Sequence, residues 1–294
     1  MEDLKLELDH VGVAVRSLDE GQRAYERLGF KLAPRSLHSG AVTPGGPVVP
    51  WGSGNHCAMF RRGYLEVLGI TDPGLHSSAK GLLEKYEGLH IVAFGVPDAD
   101  RAYAALSARS PGIHPARALE RDAAYGPEGN ETRRAAFRNV YTDKDAFPEA
   151  RFIFIEHLTR DVLWQPHLLD HPNGAVSIEE VALCVEDLAA GRARLTPILG
   201  VAPQDKGGGF LIYKLARGRV YVMTPEALAE WAPGVVPPRL PWVAGFGIGV
   251  ADLARPRALL AAAGITFREH PYPAVWVGPA VTCGPVLSFI QAQA

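Results

Sequence analysis

The stretch LDHVGVAVRSLDEGQRAYERLGF, residues 8–30, combines a strand signal, a helix start and a helix stop. The nearly unbroken apolar run from Leu8 to Val15 indicates a buried β-strand. Ser17 is a good N-cap residue, because its side-chain oxygen can accept a hydrogen bond from a free amide of the first helical turn. Gly29 stands where a helix stop is expected. The stretch therefore predicts a strand followed directly by a helix.

The same order recurs three more times along the chain, and short alternating segments that indicate further strands follow each helix. The strands begin at Leu8, Leu89, Ile178 and Val243, and the predicted N-caps are Ser17, Asp98, Asp187 and Asp252. The sequence thus predicts an α+β fold of four βαβββ units that pair two by two. A proline-containing segment with an Asn-Gly pair separates the pairs, which gives predicted domains of 1–160 and 175–294 and a connector of 161–174.

Composition limits the classes of function. The chain has 294 residues, of which 47% are hydrophobic, and a formal net charge of −2, which argues against a nucleic-acid partner or an anionic membrane surface. The N-terminus does not resemble a signal peptide and no apolar run has membrane-spanning length, so we expect a cytoplasmic protein. The three cysteines lie far apart, which suits free buried thiols in a reducing compartment.

Four polar residues interrupt the apolar strands at related places. His10 and Glu66 lie in the first and last strands of unit one, and His90 and Glu156 lie in those of unit two. An ionised carboxylate in a buried strand costs several kcal/mol unless a cation or hydrogen bonds compensate it. If the paired units wrap around one cavity, two imidazoles and two carboxylates meet there, a donor set that suits one divalent metal ion such as Ni, Co, Zn, Mn or Fe.

One irregularity qualifies the equivalence of these positions. His10 lies seven residues before its cap, Ser17, whereas His90 lies eight before Asp98. A slip of one residue turns a side chain to the other face of a strand, unless a bulge absorbs the slip.

The second half lacks the donor set, since the matching residues are Glu180, Tyr221, Ala244 and Gln291. We therefore predict a metal-free second half that contributes packing and cavity closure. Glu180 is expected either at an exposed strand edge or paired with Arg192 or Arg194. The other histidines are weaker candidates as ligands: solvated positions in the connector are expected for His167 and His171, and positions in the cavity or in solvent for His56 and His157.

Residues 8–30, together with GNHCAMFRRGYLEVLG at 54–69 and FIEHL at 154–158, resemble the glyoxalase-like domains of the vicinal oxygen chelate superfamily. The motifs cover residues 1–160, and the βαβββ pattern extends the resemblance over 175–294. The resemblance implies half-barrels around a divalent metal with His10, Glu66, His90 and Glu156 as ligands. It also implies a lyase or isomerase in which Glu66 or Glu156 moves a proton of a small-molecule substrate with vicinal oxygens.

Two other functions stay open at this stage. Four units in one chain also resemble type I extradiol dioxygenases, in which two histidines and one glutamate hold Fe(II), and His10, His90 and Glu156 would serve. Other superfamily members bind a small molecule without chemistry and need no metal. No glutathione-binding set is identifiable, and the sequence suits either a monomer or a homodimer.

Overall fold

The computed structural model describes residues 4–43 and 45–292 as two eight-stranded mixed sheets with helices against them. One sheet draws its strands from residues 7–157 and the other from 175–291. Within the described part of the chain, no helix is long and apolar enough to span a membrane.

Each sheet contains two βαβββ units, as the sequence predicts. The elements of the first two units are β1 (Glu7–Val15), α1 (Leu18–Arg27), β2 (Ser36–Ala41), β3 (Val48–Met59), β4 (Tyr64–Ile70), α2 (Lys80–Leu83), β5 (Gly88–Gly95), α3 (Ala99–Ser107), β6 (Arg117–Tyr125), β7 (Glu131–Tyr141) and β8 (Arg151–His157). The short helix α4 (Arg160–Leu163) and a 3₁₀ turn (Pro166–Leu168) follow. The elements of the last two units are β9 (Ala175–Cys184), α5 (Leu188–Leu199), β10 (Gln204–Asp205), β11 (Phe210–Lys214), β12 (Arg219–Met223), α6 (Pro225–Trp231), β13 (Trp242–Val250), α7 (Ala254–Ala262), β14 (Arg268–Glu269), β15 (Ala274–Val277) and β16 (Val286–Gln291).

Helix starts follow the predicted caps in three of the four units. Ser17, Asp98 and Asp187 each accept a hydrogen bond from the backbone amide three residues later. In the fourth unit the N-cap is Leu253, and the carboxylate of Asp252 accepts from the amide of Ala254 instead. The prediction for the last helix is therefore wrong by one residue.

The two sheets share one topology. Their strand orders are β2-β3-β4-β1-β5-β8-β7-β6 and β10-β11-β12-β9-β13-β16-β15-β14. In each sheet the first strands of its two units lie antiparallel at the centre, and the last strand of each unit lies parallel to its own first strand. Both halves therefore place equivalent positions of their sequences at equivalent places in the sheet.

The first sheet curls far enough for its two edge strands to meet. Arg121 on β6 donates a hydrogen bond from Nη1 to Oγ of Ser36 on β2 at 2.9 Å. A sheet that closes in this way has an inner face and an outer face, and side chains alternate between them along each strand. This curvature gives the half-barrel architecture expected from the sequence.

Three apolar clusters correspond to these faces. The outer faces of both sheets and the helices α1, α3, α5 and α7 form one continuous core, which includes Val11, Phe154, Val181 and Phe289. The inner face of the first sheet forms a second cluster and that of the second sheet a third. The two halves are thus packed against each other through their outer faces, and Tyr86 of the first half also enters the inner cluster of the second sheet.

The connector between the sheets contains a correction. His171, expected in solvent, is buried: its Nδ1 accepts from the amide of Lys31 and its Nε2 donates to the carbonyl of Met59 at 2.8 Å. Both ring nitrogens are used, and burial lowers the pKa of His171 below its usual range. His171 therefore fastens the connector to the first sheet.

A buried ion pair also joins the halves. Glu149, in the loop before β8, is 2% exposed, and its Oε1 accepts from Nε of Arg194 on α5 at 2.7 Å. The second oxygen of Glu149 has no partner among the described residues. Arg194 is therefore the group that compensates the buried negative charge of Glu149.

We expect Arg194→Ala to lower the free energy of unfolding by about 2 kcal/mol, because it leaves the carboxylate of Glu149 buried without a cation. This value is below the range for fully buried pairs, since Arg194 is one-third exposed. Urea denaturation of Arg194→Ala and of the control Arg192→Ala, an exposed arginine on the same helix, measures the difference. Equal losses in the two variants would refute the role of the pair.

Candidate functional site

Glu66 lies on the inner face of the first sheet. Its Oε1 accepts a hydrogen bond from Nδ2 of Asn55 on the neighbouring strand β3 at 2.5 Å. Its other oxygen packs over Gly12, where an added Cβ would lie 3.2 Å from Oε2. The carboxylate is half-buried, and these two contacts hold it in one orientation on the floor of the curled sheet.

A cleft of about 510 Å³, measured out to its mouth, opens next to Glu66. Its walls include Ser36, Asn55, Cys57 and Arg121. Glu66 lies behind this wall, bonded to Asn55 and opposite Cys57 in the sheet, and we call the cleft together with Glu66 the Glu66 cleft. Arg121 lines the cleft from β6, where its guanidinium donates to Ser36 on β2, and supplies a positive charge.

Two neighbouring groups respond to the charges of Glu66 and Arg121. Burial lowers the pKa of the His38 imidazole. The charge of Glu66 raises this pKa, and the charge of Arg121 lowers it. Burial raises the pKa of the Cys57 thiol to about 12, so this thiol is protonated at neutral pH and is a poor nucleophile. Glu66 and Arg121 are therefore the groups of the cleft that suit acid-base and electrostatic catalysis.

His10 also lies on the inner face, but it is occupied by other contacts. Its ring stacks on Tyr64, with the centroids 4.2 Å apart, and its Nδ1 lies 2.8 Å from Oδ1 of Asp9. Asp9 sits at a bulge of β1 and also contacts Nε2 of His157 at 3.1 Å from each of its oxygens. Although burial opposes ionisation of Asp9, hydrogen bonds from both imidazoles lower its pKa well below the usual range. This buried network fastens β1 to β8.

His90 lies away from the Glu66 cleft. It occupies a second bulge, where Gly12 pairs with Ile91 and Val13 pairs with Leu89. Its ring stacks on Tyr86, its Nε2 lies 2.8 Å from the carbonyl of that residue, and it lines a different pocket. Burial lowers the pKa of His90 to about 4, so the ring is neutral at neutral pH.

Glu156 projects from the outer face of the first sheet. Along β8, Phe152 and Phe154 enter the outer core while Ile153 and Ile155 enter the inner cluster, so Glu156 follows the two phenylalanines. Its Oε2 accepts a hydrogen bond from the amide of Ala99 at the first turn of α3 at 2.9 Å. A carboxylate at this place compensates the positive end of the helix dipole. The compensating partner of Glu156 is therefore a helix N-terminus.

The four predicted ligands do not form one site. Among residues 4–43 and 45–292, no group of three or more His, Cys, Asp or Glu side chains could hold a metal ion. Only His10 and Glu66 of the predicted set share the inner face, and the Asp9 contact already uses Nδ1 of His10. The four side chains lie apart in this structure, and the four-ligand set and the role of Glu156 as a base stay predictions from the sequence. The residues present do not fit the divalent metal that the family resemblance implies.

The second half differs from its prediction at Glu180. This residue is 2% exposed, and its Oε2 accepts from the hydroxyl of Tyr221 at 2.5 Å, while Arg194 is paired with Glu149. The sheet register places Glu180 opposite Arg219 and Tyr221 opposite Ala182, so Tyr221 stands where Glu66 stands in the first half. The sequence matching of the two halves holds, but the partner of Glu180 is a tyrosine. The metal-free role of this half stays a prediction.

The profile of the family described as Glyoxalase-like domain matches residues 8–199, about two-thirds of the chain. The chain belongs to this family. As a glyoxalase-like protein it is a member of the vicinal oxygen chelate superfamily, as its motifs indicate. Comparison with curated proteins gives no match.

Solved structures resemble this glyoxalase-like protein over 98% of its chain. A hypothetical protein from Staphylococcus aureus has a TM-score of 0.63 at 14% identity, with all of that chain covered. A mutant of 4-hydroxymandelate synthase from Streptomyces coelicolor has a TM-score of 0.59 at 13% identity, with 94% of that chain covered. A variant of homoprotocatechuate 2,3-dioxygenase from B. fuscum has a TM-score of 0.56 at 12% identity, with 72% of that chain covered. At these identities the likeness shows the shared fold alone.

Asn55 and Arg121 were not among the site residues predicted from the sequence. Asn55 was detectable, because it precedes Cys57 by two residues on β3 and so shares its face, and Cys57 pairs with Glu66. Arg121 lies on the opposite edge strand, and only the closure of the sheet brings it to the cleft. Nothing local in the sequence around residue 121 indicates that contact.

Proposed function

We propose that the Glu66 cleft binds a small molecule with vicinal oxygens and that Glu66 moves a proton between its adjacent carbons, as a lyase or isomerase does. The observation that carries this proposal is the half-buried Glu66 carboxylate, which accepts a hydrogen bond from Asn55, a residue of the wall of a cleft that Arg121 also lines. Pockets of a few hundred Å³ with a few convergent polar groups are the usual sites for small ligands.

The proposed chemistry uses the charges of Glu66 and Arg121. Arg35 and Asp122, which also line the cleft, are paired with Asp19 and Arg134. One oxygen of Glu66 takes the proton from a carbon next to a carbonyl group, and the electron pair of the broken C–H bond moves onto the carbonyl oxygen. The guanidinium of Arg121 stabilises the resulting enolate, since it can donate two parallel hydrogen bonds to neighbouring oxygens. Glu66 then returns the proton to the adjacent carbon, while the proton of the neighbouring hydroxyl group passes to the former carbonyl oxygen and the electron pair of that O–H bond forms the new carbonyl bond. The products are the isomerised substrate and the original carboxylate, so no oxidant or reductant is consumed.

Asn55 is a positioning residue in this scheme. Its amide holds Oε1 of Glu66, and the small size of Gly12 leaves room for Oε2. In this scheme Arg121 supplies the positive charge that a metal would otherwise supply, because the predicted metal ligands are divided among three places in the first half.

Proton exchange with solvent provides a test that does not require knowledge of the natural substrate. We expect the full chain to exchange the carbon-bound proton of one or more α-hydroxyketones, α-hydroxyaldehydes or hemithioacetals in D₂O, detected by NMR. The exchange should need no oxygen and should persist in the presence of a chelator.

Three results, from ligand binding, oxygen uptake and metal addition, would count against the proposal. Saturable binding without exchange would assign a binding protein. Oxygen uptake with ring cleavage of simple catechols after anaerobic loading with Fe(II) would assign a dioxygenase. A chelator could also abolish the exchange, and an added divalent metal could restore it. This result would show that the predicted metal ligands come together in solution.

A further inference from the structure

A second pocket, of about 770 Å³ measured out to its mouth, lies between the two halves of the protein. The first half contributes the α2 region, the bulge at His90 and the segment 142–151, and the second half contributes residues 239 and 241. We call it the inter-half pocket. It is separate from the Glu66 cleft, because no lining residue is shared between them.

The charges around the inter-half pocket are unbalanced. Lys85, Lys144, Arg151 and Arg239 line it. Lys144 is paired with the exposed carboxylate of Asp145 at 2.8 Å. In the described part of the chain no carboxylate lies within 4.0 Å of the charged nitrogens of the other three. The one carboxylate of the lining, Glu149, is neutralised by Arg194 from outside the pocket.

The cations are close enough to influence one another. Burial and then the charges of Arg239, Lys144 and Arg151 lower the pKa of Lys85, and the carboxylate of Asp145 opposes them. Cations arranged in this way repel one another, and their mutual repulsion is relieved when an anion binds among them.

A buried hydrogen-bonding group points to the same ligand chemistry. Thr142 is 8% exposed, and its hydroxyl has no hydrogen-bond partner among the described residues although it lies in the pocket lining. A buried hydroxyl without a partner is uncommon in folded proteins, and a bound water or ion is one explanation for it. The Thr142 hydroxyl is a free donor for such a partner. The neutral ring of His90 donates from Nε2 to Tyr86, which leaves Nδ1 able to accept from a hydroxyl group.

We propose that the inter-half pocket binds a small molecule bearing an oxyanion, either a phosphate or a carboxylate group, between Lys85, Arg151 and Arg239. The guanidinium groups suit planar, two-point recognition of either anion, and Lys85 adds a point charge. Since Arg239 comes from the second half, a bound anion links the two halves.

The test is isothermal titration calorimetry of the full chain in a buffer without other multivalent anions, with inorganic phosphate and with succinate as probes. We expect at least one probe to bind, with an affinity that falls between 50 and 200 mM NaCl because the contacts are ionic. Binding of phosphate alone indicates a phosphate ester, and binding of succinate alone indicates a carboxylate.

Arg239→Gln should weaken the binding of that probe about tenfold, which corresponds to about 1.4 kcal/mol. Arg239 is exposed and lies outside the helices and strands, so its replacement leaves the fold intact. Thr142→Val, which keeps the shape and removes the donor, should weaken binding several-fold. The control variant is Arg117→Gln, which replaces an exposed arginine on β6 outside the pocket. This variant should bind the probe with the same affinity as the unaltered chain. Failure of both probes to bind at millimolar concentration, or equal affinity in Arg239→Gln and Arg117→Gln, overturns the proposal.

Discussion

Glu66→Gln should lower the rate of solvent proton exchange by a factor of about 10² to 10⁴, the range that a positioned general base contributes. The amide has nearly the shape of the carboxylate but cannot accept a proton. Its oxygen can still accept from Asn55, so the floor of the cleft keeps its geometry. The measurement is the exchange rate at saturating ligand, with the dissociation constant of the ligand determined separately.

Glu156→Gln is the matched control for Glu66→Gln. Glu156 carries the same charge in the same sheet, but it lies on the outer face against the amide of Ala99. Glutamine can still accept that hydrogen bond, so the variant should fold and keep most of the exchange activity. A loss in Glu156→Gln as large as that in Glu66→Gln would show that both carboxylates serve one site, as the sequence alone suggests.

The organisation of the chain was predictable because its signals are local. A strand followed by a cap, a helix and a glycine stop occupies about twenty residues, and its fourfold recurrence fixes the units and their pairing. The matching of the halves also agrees with the register, since Tyr221 and Glu66 occupy equivalent positions on β12 and β4. These features do not depend on which face of a strand turns inward.

The candidate site depends on which face of each strand turns toward the inside of the curled sheet. The sequence does not determine this. Both faces of β8 are apolar, so the run from Phe152 to Ile155 does not show which side Glu156 joins. The spacing of seven residues for His10 and eight for His90 did signal an irregularity. In the structure β1 and β5 carry two bulges, at Asp9 and at His90, which send the two imidazoles to different environments.

The burial of two polar residues, His171 and Glu180, also depends on contacts that are distant along the chain. His171 and Glu180 both stand in segments whose local polarity predicts exposure or a nearby arginine. Their partners, the carbonyl of Met59 and the hydroxyl of Tyr221, lie 112 and 41 residues away along the chain. Only the packing of the connector on β3 and the pairing of β9 with β12 bring these groups together.

Glu180 should make the protein less stable as the pH rises from about 4.5 to about 7. Burial raises the pKa of its carboxyl from 4.5 to about 7, against the opposing effect of the Tyr221 hydrogen bond, and its Oε1 has no partner among the described residues. The folded protein therefore binds more protons than the unfolded chain in this pH range. Its free energy of unfolding consequently decreases with pH until Glu180 is ionised in both states, and is constant above that point.

Glu180→Gln should remove this dependence, because glutamine is neutral throughout and can still accept from Tyr221. Urea denaturation of both proteins should show the difference in unfolding free energy, variant minus unaltered chain, increasing by about 2–3 kcal/mol between pH 5 and pH 8. The lowered pKa values of His90 and His270, each about 4, act in the opposite direction, since their contribution is lost as the pH falls below about 6.5. Both proteins share these histidines, so the difference in unfolding free energy reports the contribution of Glu180 alone.

The matched control is Glu186→Gln, which replaces an exposed glutamate just after β9. Its unfolding free energy should differ from that of the unaltered chain by the same amount at every pH. Parallel stability curves for Glu180→Gln and the unaltered chain would mean that Glu180 ionises as freely in the folded protein as in the unfolded chain.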